Sequence, residues 1–517
     1  MTEIPPQNAP SPRRWVSLGA ICTAAALVWL AFSDLGVAVP EIADEYGSGL
    51  SALQWANNAF SLVTGALVIA AGRFGDLFGR RRMLEAGLVL LAVFSVPAAL
   101  SPDVASLVIS RGLMGVGAAL ILPASLALIP PEFTGREELA AFGIWQAVAW
   151  GGLSVGPALS GFITDGIGWR WLFWINLPLA AVVLAVVRAT TPESSDPHAT
   201  RRVDWPGLAT IGLSVFALLY ALTEGPAAGW GSPVVVLLLV AAVVLAVVWY
   251  RLERRSRDPL VDLRLFRIRS YNGALAANLA MNLTWAGLSF LLVLWLENVR
   301  GRSPVEAGML LLPATVGVFL CIRLGGRLAA WRGGRLPAVT GLTVASGGLF
   351  VLASLTTDTA TWLLAAGLFV VGLGLGLVSA PVADTAVGEV PPDLAGTAAG
   401  VFKMSSMLGG ALGVALLTAL ARGLTQRDAD EVVRTSGLST AEIAQVREAL
   451  VRSSSFDEAI AALPPGIRAT VVRTLDEAFT SGVADTMAAT GLLTLVAAVA
   501  VLLLWPPAPG KALRARR

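Results

Sequence analysis

Three side chains carry charge where the sequence around them is apolar: Asp34 within 15–38, Arg111 within 104–128 and Lys403 within 395–422. An ionisable group inside an apolar span is expensive and marks a functional site by default. A carboxyl shielded from water exchanges its proton near neutral pH. Asp34 therefore suits reversible proton uptake, with Arg111 as the countercharge that tunes it. A competing reading leaves Asp34 at the end of its span facing water, because Pro40 and Glu41 follow closely. Other chemistries find little to work with. The one histidine, His198, lies in a polar loop, so neither a His-based metal site nor a Ser-His-Asp triad is expected in the apolar spans. Cys22 and Cys321 are far apart in apolar segments and read as small buried hydrophobes rather than a disulfide framework. No GxxxxGK[ST] stretch exists to cradle the phosphates of ATP.

A second kind of chemistry, charge at a turn, is concentrated in Gly72-Arg73-Phe74-Gly75-Asp76-Leu77-Phe78-Gly79-Arg80-Arg81-Arg82-Met83-Leu84, between two almost purely apolar segments. Its glycines let helix ends approach closely, while Asp76 can pair with arginines or cap a helix end. Such a charged latch can hold one conformation and release in another.

The elements that must position these groups follow from composition. The chain has 517 residues, 56% hydrophobic and 14% charged, against about 25% charged in soluble domains. Its mean hydropathy is +0.72, so it reads as an all-α polytopic membrane protein. A net charge of +2 gives nucleic acid no global attraction. A spanning helix needs about 20 mostly apolar residues. That rule predicts fourteen: 15–38, 52–72, 83–101, 104–128, 138–164, 169–190, 205–223, 233–250, 270–297, 304–326, 338–356, 361–383, 395–422 and 483–505. The first is too long for a signal-peptide core and reads as a retained helix. Connections on the side of the N-terminus hold 25 Lys and Arg, the short ones opposite four, with the long segment 424–482 exempt from the charge rule. That bias puts both termini in the cytoplasm of a multi-pass cell-membrane protein. The long segment 424–482 then lies outside. Apolar residues at helical spacing in 440–452 and 468–479 predict short amphipathic helices there. It reads as a solvated cap or as a gating or partner-docking hairpin.

An internal repeat divides the chain. Pro130-Pro131-Glu132-Phe133-Thr134-Gly135 returns as Pro391-Pro392-Asp393-Leu394-Ala395-Gly396, and Pro123 as Pro381. The charged turn has an echo, Gly326-Arg327-Leu328-Ala329-Ala330-Trp331-Arg332-Gly333, in which Ala330 stands for Asp76. The expected domains are a tail at 1–14, a six-helix bundle at 15–190, two inserted helices at 205–250, a second six-helix bundle at 270–505 that includes the 424–482 hairpin, and a tail at 506–517. Two repeated halves with a site between them is transporter architecture.

The Gly72–Leu84 pattern resembles the signature loop between helices 2 and 3 of the major facilitator superfamily. Arg111 with Gly115 and Gly117 resembles the helix-4 motif of its drug/proton antiporters, whose arginine is tied to proton transfer. Gly152-Leu153-Ser154-Val155-Gly156-Pro157-Ala158-Leu159-Ser160-Gly161 resembles their helix-5 antiporter motif, and Trp169–Pro178 the start of helix 6. Residues 258–266, before the ninth span, resemble the fourteen-helix branch that includes quaternary ammonium and multidrug exporters. The resemblance implies the major facilitator fold, two six-helix bundles plus two inserted helices. It also implies that the face of Gly152, Gly156, Pro157 and Gly161 meets helix 8 of the twelve-helix core and seals a leak path. Plain helix packing by small residues is the alternative.

The chain also departs from that family. Relatives usually carry an acid where Ala31 stands, and Asp34 lies one turn farther on, ~4.5 Å along the axis at 1.5 Å per residue. Where cation exporters have acids in the equivalents of spans ten and thirteen, this chain has Val318, Phe402, Lys403 and Met407. These departures favour amphipathic, neutral or even anionic substrates over dications. Candidate cavity residues are Asn57, Asn58, Trp145, Gln146, Trp150, Asn278, Asn282, Trp285 and Lys403, because aromatics adapt and amides orient without charge. Trp29 and Trp295 read as interfacial or lipid-facing anchors. The expected function is proton-coupled efflux of amphipathic small molecules by a monomer in contact with membrane lipids. No cofactor beyond the proton gradient, no metal, no ATP and no enzymatic role are expected. Transport of a lipid-like molecule, or a non-transporting sensor or scaffold, remain the alternatives.

Overall fold

A segment crossing hydrocarbon has no water for its peptide groups, so it must close its own hydrogen bonds as a helix. The computed structural model describes residues 12–195, 203–256, 259–435 and 465–507, and among them there is no strand. Fourteen helices are long and apolar enough to cross a membrane. We label them α1 (Pro12–Ser33), α2 (Leu50–Phe78), α3 (Arg80–Ala99), α4 (Val104–Ala127), α5 (Arg136–Ile167), α6 (Asn176–Thr190) and α7 (Trp205–Ala228). The series continues with α8 (Pro233–Glu253), α9 (Arg269–Asn298), α10 (Leu312–Arg332), α11 (Arg335–Leu352), α12 (Thr361–Ala383), α13 (Ala395–Thr435) and α14 (Pro465–Leu504).

Every expected span is present, and the departures have local causes. The charged stretch from Gly72 to Phe78 is not a turn: it is the last part of α2, and the reversal is confined to Gly79. There φ is +111°, a backbone conformation that L side chains rarely adopt. Spans six and ten are interrupted, with short helices Trp171–Trp174 and Pro304–Leu310 preceding α6 and α10. Pro178 and Pro313 consequently fall in first turns, where a missing N–H costs nothing. The expected helix over 468–479 is part of α14, while α13 runs on to Thr435, past its apolar portion. The rest of the 424–482 hairpin, 436–464 with the expected helix at 440–452, lies outside the described residues. So do His198 and most of both tails.

Packing follows sequence separation. Helix α4 packs on α2 and α3, α5 on α1, and α6 on α1 and α3. Farther along, α12 packs on α10 and α11, α13 on α9, and α14 on α9, α11 and α13. Contacts between these two sets run mainly along two seams, α2 against α13 and α5 against α10 and α12. The α7–α8 hairpin lies outside them: α7 touches both α2 and α13, whereas only 11% of the apolar window of α8 is buried.

The repeat also appears in the packing, through residues that the sequence reading did not pair. Gly87 of α3 crosses Gly117 of α4, where a Cβ added to either would lie 2.7 Å from the other's carbonyl oxygen. Gly341 of α11 crosses Gly374 of α12 in the same manner. Close backbone approach of this kind is how small residues join helices in lipid, where no hydrophobic force drives association. Gly117→Val should therefore lower the thermal midpoint of the purified protein in detergent, by an overpacking cost of about 1–3 kcal/mol. Gly19→Val, at a site with nothing within 4 Å, should leave that midpoint unchanged.

Candidate functional site

At the arginine-rich end of the bundle the two sets of helices are fastened by one carboxylate. Asp76, in the last turn of α2, is fully buried. It accepts hydrogen bonds from the backbone amides of Gly396 (2.8 Å) and Thr397 (2.7 Å) and from the Thr397 hydroxyl (2.9 Å). These amides open α13, so Asp76 caps that helix from across the seam, with its charge set against the positive end of the helix dipole. Arg80 pairs with Asp76 at 2.9 Å and donates to the carbonyl of Pro392 and to the Ser194 hydroxyl at 3.1 Å. Gly72 has no room for a side chain, because a Cβ there would collide with the Gly396 carbonyl. Gly72, Asp76 and Arg80 thus form one contact. Gly79 and Arg81 serve a different one: Glu193 accepts from the Arg81 amide (3.0 Å), and the Arg81 side chain meets Glu85 (3.4 Å) and the Thr191 carbonyl (3.1 Å).

Asp34 sits where α1 breaks and a short helix, Leu35–Tyr46, begins. It is buried, and its Oδ1 lies 3.5 Å from Nη1 of the fully buried Arg111 on α4. Arg111 is held by three other acceptors: the Ala31 carbonyl (2.7 Å), the Asn57 side-chain oxygen (3.0 Å) and the Ala56 carbonyl (3.4 Å). Its guanidinium also lies over Phe60, 4.7 Å from the ring centre. The two atoms that face each other across the pair, Asp34 Oδ1 and Arg111 Nη1, make no hydrogen bond. Arg111 therefore reaches the Ala31 turn through the backbone, and the carboxylate stands one turn beyond it.

Two of the antiporter-motif glycines, Gly152 and Gly156, do not face the helix that the resemblance implies. A Cβ on Gly152 would meet Trp29 and one on Gly156 would meet Ser33, both on α1. Contact with α10 comes instead from Gly151 against Phe319 and from a 2.7 Å hydrogen bond between Ser154 and Thr315. Pro157 and Gly161 lie within α5, both half-buried.

Candidate cavity residues divide into two groups. Asn278 is committed to packing α9 against α13, donating to the Ser405 and Ser406 hydroxyls (both 2.8 Å) and the Phe402 carbonyl (3.0 Å). Asn282 donates to the Asn278 carbonyl at 2.8 Å, Asn57 is taken by Arg111, and Asn58 is half-buried. The second group bridges the two sets of helices. Gln146 donates to the Ser379 carbonyl (3.2 Å) and Trp150 to the Ser379 hydroxyl (3.1 Å), while the Trp150 and Trp285 rings meet edge to face at 5.4 Å. Trp145 donates to Ser125 (3.1 Å), and its ring lies 4.1 Å from the Lys403 ammonium. Trp29 is no lipid-facing anchor: its ring lies 5.4 Å from the same ammonium. Trp295 is fully buried and donates to Thr480 at 2.9 Å. Ser379 was not apparent from the sequence, because a serine in an apolar helix carries no signal of which partner it will meet.

Residues 21–414 match the family model described as Major Facilitator Superfamily. The chain is 35% identical, over 76% of its length and 73% of the relative's, to multidrug resistance protein Stp of Mycobacterium tuberculosis (strain CDC 1551 / Oshkosh). It is 35% identical to puromycin resistance protein pur8 of Streptomyces alboniger, over 81% and 84% of the two chains. Drug efflux pump JefA of Mycobacterium tuberculosis (strain CDC 1551 / Oshkosh) is 32% identical over 92% and 94%. Among solved structures, the human organic anion transporter MFSD10 (TETRAN) matches with a TM-score of 0.58 and 16% identity, covering 95% of this chain and 100% of that one. That last likeness concerns fold alone.

The latch geometry has a direct consequence for access. Ile69, 3% exposed, lies against Gly400 directly behind the Asp76 contact. In a chain with Cys22 and Cys321 replaced by Ser and Ile69→Cys as the single thiol, Asp76→Ala should raise labelling by a water-soluble maleimide several-fold. An unchanged rate would show that Asp76 does not hold this end shut.

Proposed function

This chain belongs to the major facilitator superfamily, and from that premise we propose that it exports amphipathic small molecules across the cell membrane in exchange for protons. Export is supported by relatives whose names record multidrug resistance, puromycin resistance and drug efflux. The arginine-rich end is assigned to the cytoplasm by the positive-inside bias. On that assignment both termini are cytoplasmic, and the latch closes the cytoplasmic side. The exporter works without nucleotide or metal, performs no covalent chemistry, and acts as a monomer surrounded by lipid.

The observation that carries the coupling is the buried 3.5 Å pair of Asp34 and Arg111. A proton arriving at Asp34 cancels the attraction between the two. Arg111 keeps its three other acceptors, so the tie that loosens is the one joining the break after α1 to α4. Because α1 packs along α5 and α5 lines the seam with α10, the loosening is transmitted to the interface between bundles. The two bundles, 15–190 and 270–505, rock about that interface, and the proton leaves Asp34 when the site turns inward. Asp76 and Arg80 stabilise the state closed to the cytoplasm and take no part in binding.

In proteoliposomes with an imposed pH gradient, Asp34→Asn should abolish gradient-driven dye efflux while leaving dye binding within a few-fold of wild type. Full retention of coupling by that variant would sink the assignment. Asp76→Ala should change turnover and shift the apparent KM by no more than the change in state populations, since it alters switching and not the binding contacts.

A further inference from the structure

Lys403 is a buried cation without an anion among the described residues. It is 4% exposed and lies on α13 at the seam between the bundles. Its ammonium is 4.1 Å from the Trp145 ring centre, 5.2 Å from Phe402 and 5.4 Å from Trp29. No hydrogen bond or ion pair holds it among the described residues. A desolvated ammonium with three donors stacked on aromatic faces is stabilised in part, yet its hydrogen-bonding capacity is unspent, and burying a charge without a partner is costly. The ring faces are contributed from both bundles, Trp29 and Trp145 from the first and Phe402 from the second. The repeat explains the meeting, since Lys403 follows Trp145 at the separation that relates Pro381 to Pro123.

We propose that Lys403 and its aromatic walls form a subsite for an acidic group of the substrate, a carboxylate or phenolate carried on a flat apolar body. An aromatic cage recognises cations, and here the protein's own ammonium occupies it. A cationic substrate meets a filled cage and a like charge. An anionic one supplies the missing partner by a charge-assisted hydrogen bond. The inference deepens the export reading and rests on it for transport, but binding can be tested separately.

The test uses the full-length purified chain and three matched probes: 1-pyrenebutyrate, its neutral butyramide and its trimethylammonium analogue. Equilibrium titration of pyrene fluorescence should give at least tenfold tighter binding of the carboxylate than of the amide, with the ammonium probe weakest. Lys403→Gln should erase that order and Lys403→Arg should keep it, with the thermal midpoint of each variant reporting a folded protein. Equal affinity for carboxylate and amide in the wild type, no binding of any probe, or a charge preference that survives in Lys403→Gln would each overturn the subsite. Proteoliposome efflux of the same probes separates the two ideas. Selective binding without pH-driven movement keeps the subsite and overturns export, whereas movement without charge selectivity does the reverse.

Discussion

A carboxylate buried in a membrane protein must be given hydrogen bonds by protein, because no water is there to give them. Asp76 obtains three of its own from the first residues of α13 and the rest from Arg80. Hydrogen bonds to charged groups contribute about 1.5–3 kcal/mol each, so the closed seam is the arrangement in which this acid is satisfied. Parting the helices exposes a charged side chain and two unpaired helix-terminal amides together, and all of them then need water. Gly72 must be small to let the amides arrive, and Arg80 must neutralise the acid once they have. The carbonyl of Pro392, bonded to Arg80, extends the same contact into the repeated Pro-Pro turn.

Much of this could be read without coordinates, for physical reasons. Crossing a bilayer imposes length and apolarity on each helix, so hydropathy alone located all fourteen. The arginine and aspartate of the latch stood out because charge beside apolar spans is rare. Partners are another matter. The glycine face of α5 was expected against the eighth core helix, but Gly152 and Gly156 pack on α1 and leave Ser154 and Gly151 to meet α10. A glycine advertises closeness without naming its neighbour. The asparagines of α9 looked like cavity polar groups, yet the serines of α13 lie within 2.8 Å of Asn278 and consume it. An amide in an apolar helix has the same sequence signature whether it faces a substrate or a serine. The Gly87–Gly117 and Gly341–Gly374 crossings show the repeat more plainly than the loop motifs did. They were invisible because each pair is far apart in sequence and its members are indistinguishable from other membrane glycines.

The interior charges divide by how they are held. Arg111 is clasped by backbone carbonyls and an amide and would stay in place without Asp34. Asp34 is close to the arginine but not hydrogen-bonded to it through the facing oxygen. Lys403 has rings in place of acceptors among the described residues. Away from the Asp76–Arg80 contact, the interior thus pairs one cation closely with an acid and surrounds another with rings. That balance differs from what several acids in spans one, ten and thirteen would have created.

The placement of α7 makes the two seams unequal. On one side α7 lies over the junction of α2 and α13, touching both, with its Tyr220 ring 5.0 Å from Trp55. On the other, α5 and α10 present Val155, Phe162, Val316 and Phe319 outward without such a cover. Among the described residues, α7 thus stands between the α2–α13 seam and its surroundings, while the α5–α10 seam has no helix over it. The two halves of the same interface therefore differ in what faces the lipid: a helix of the pair inserted between the repeats on one side, the seam helices themselves on the other.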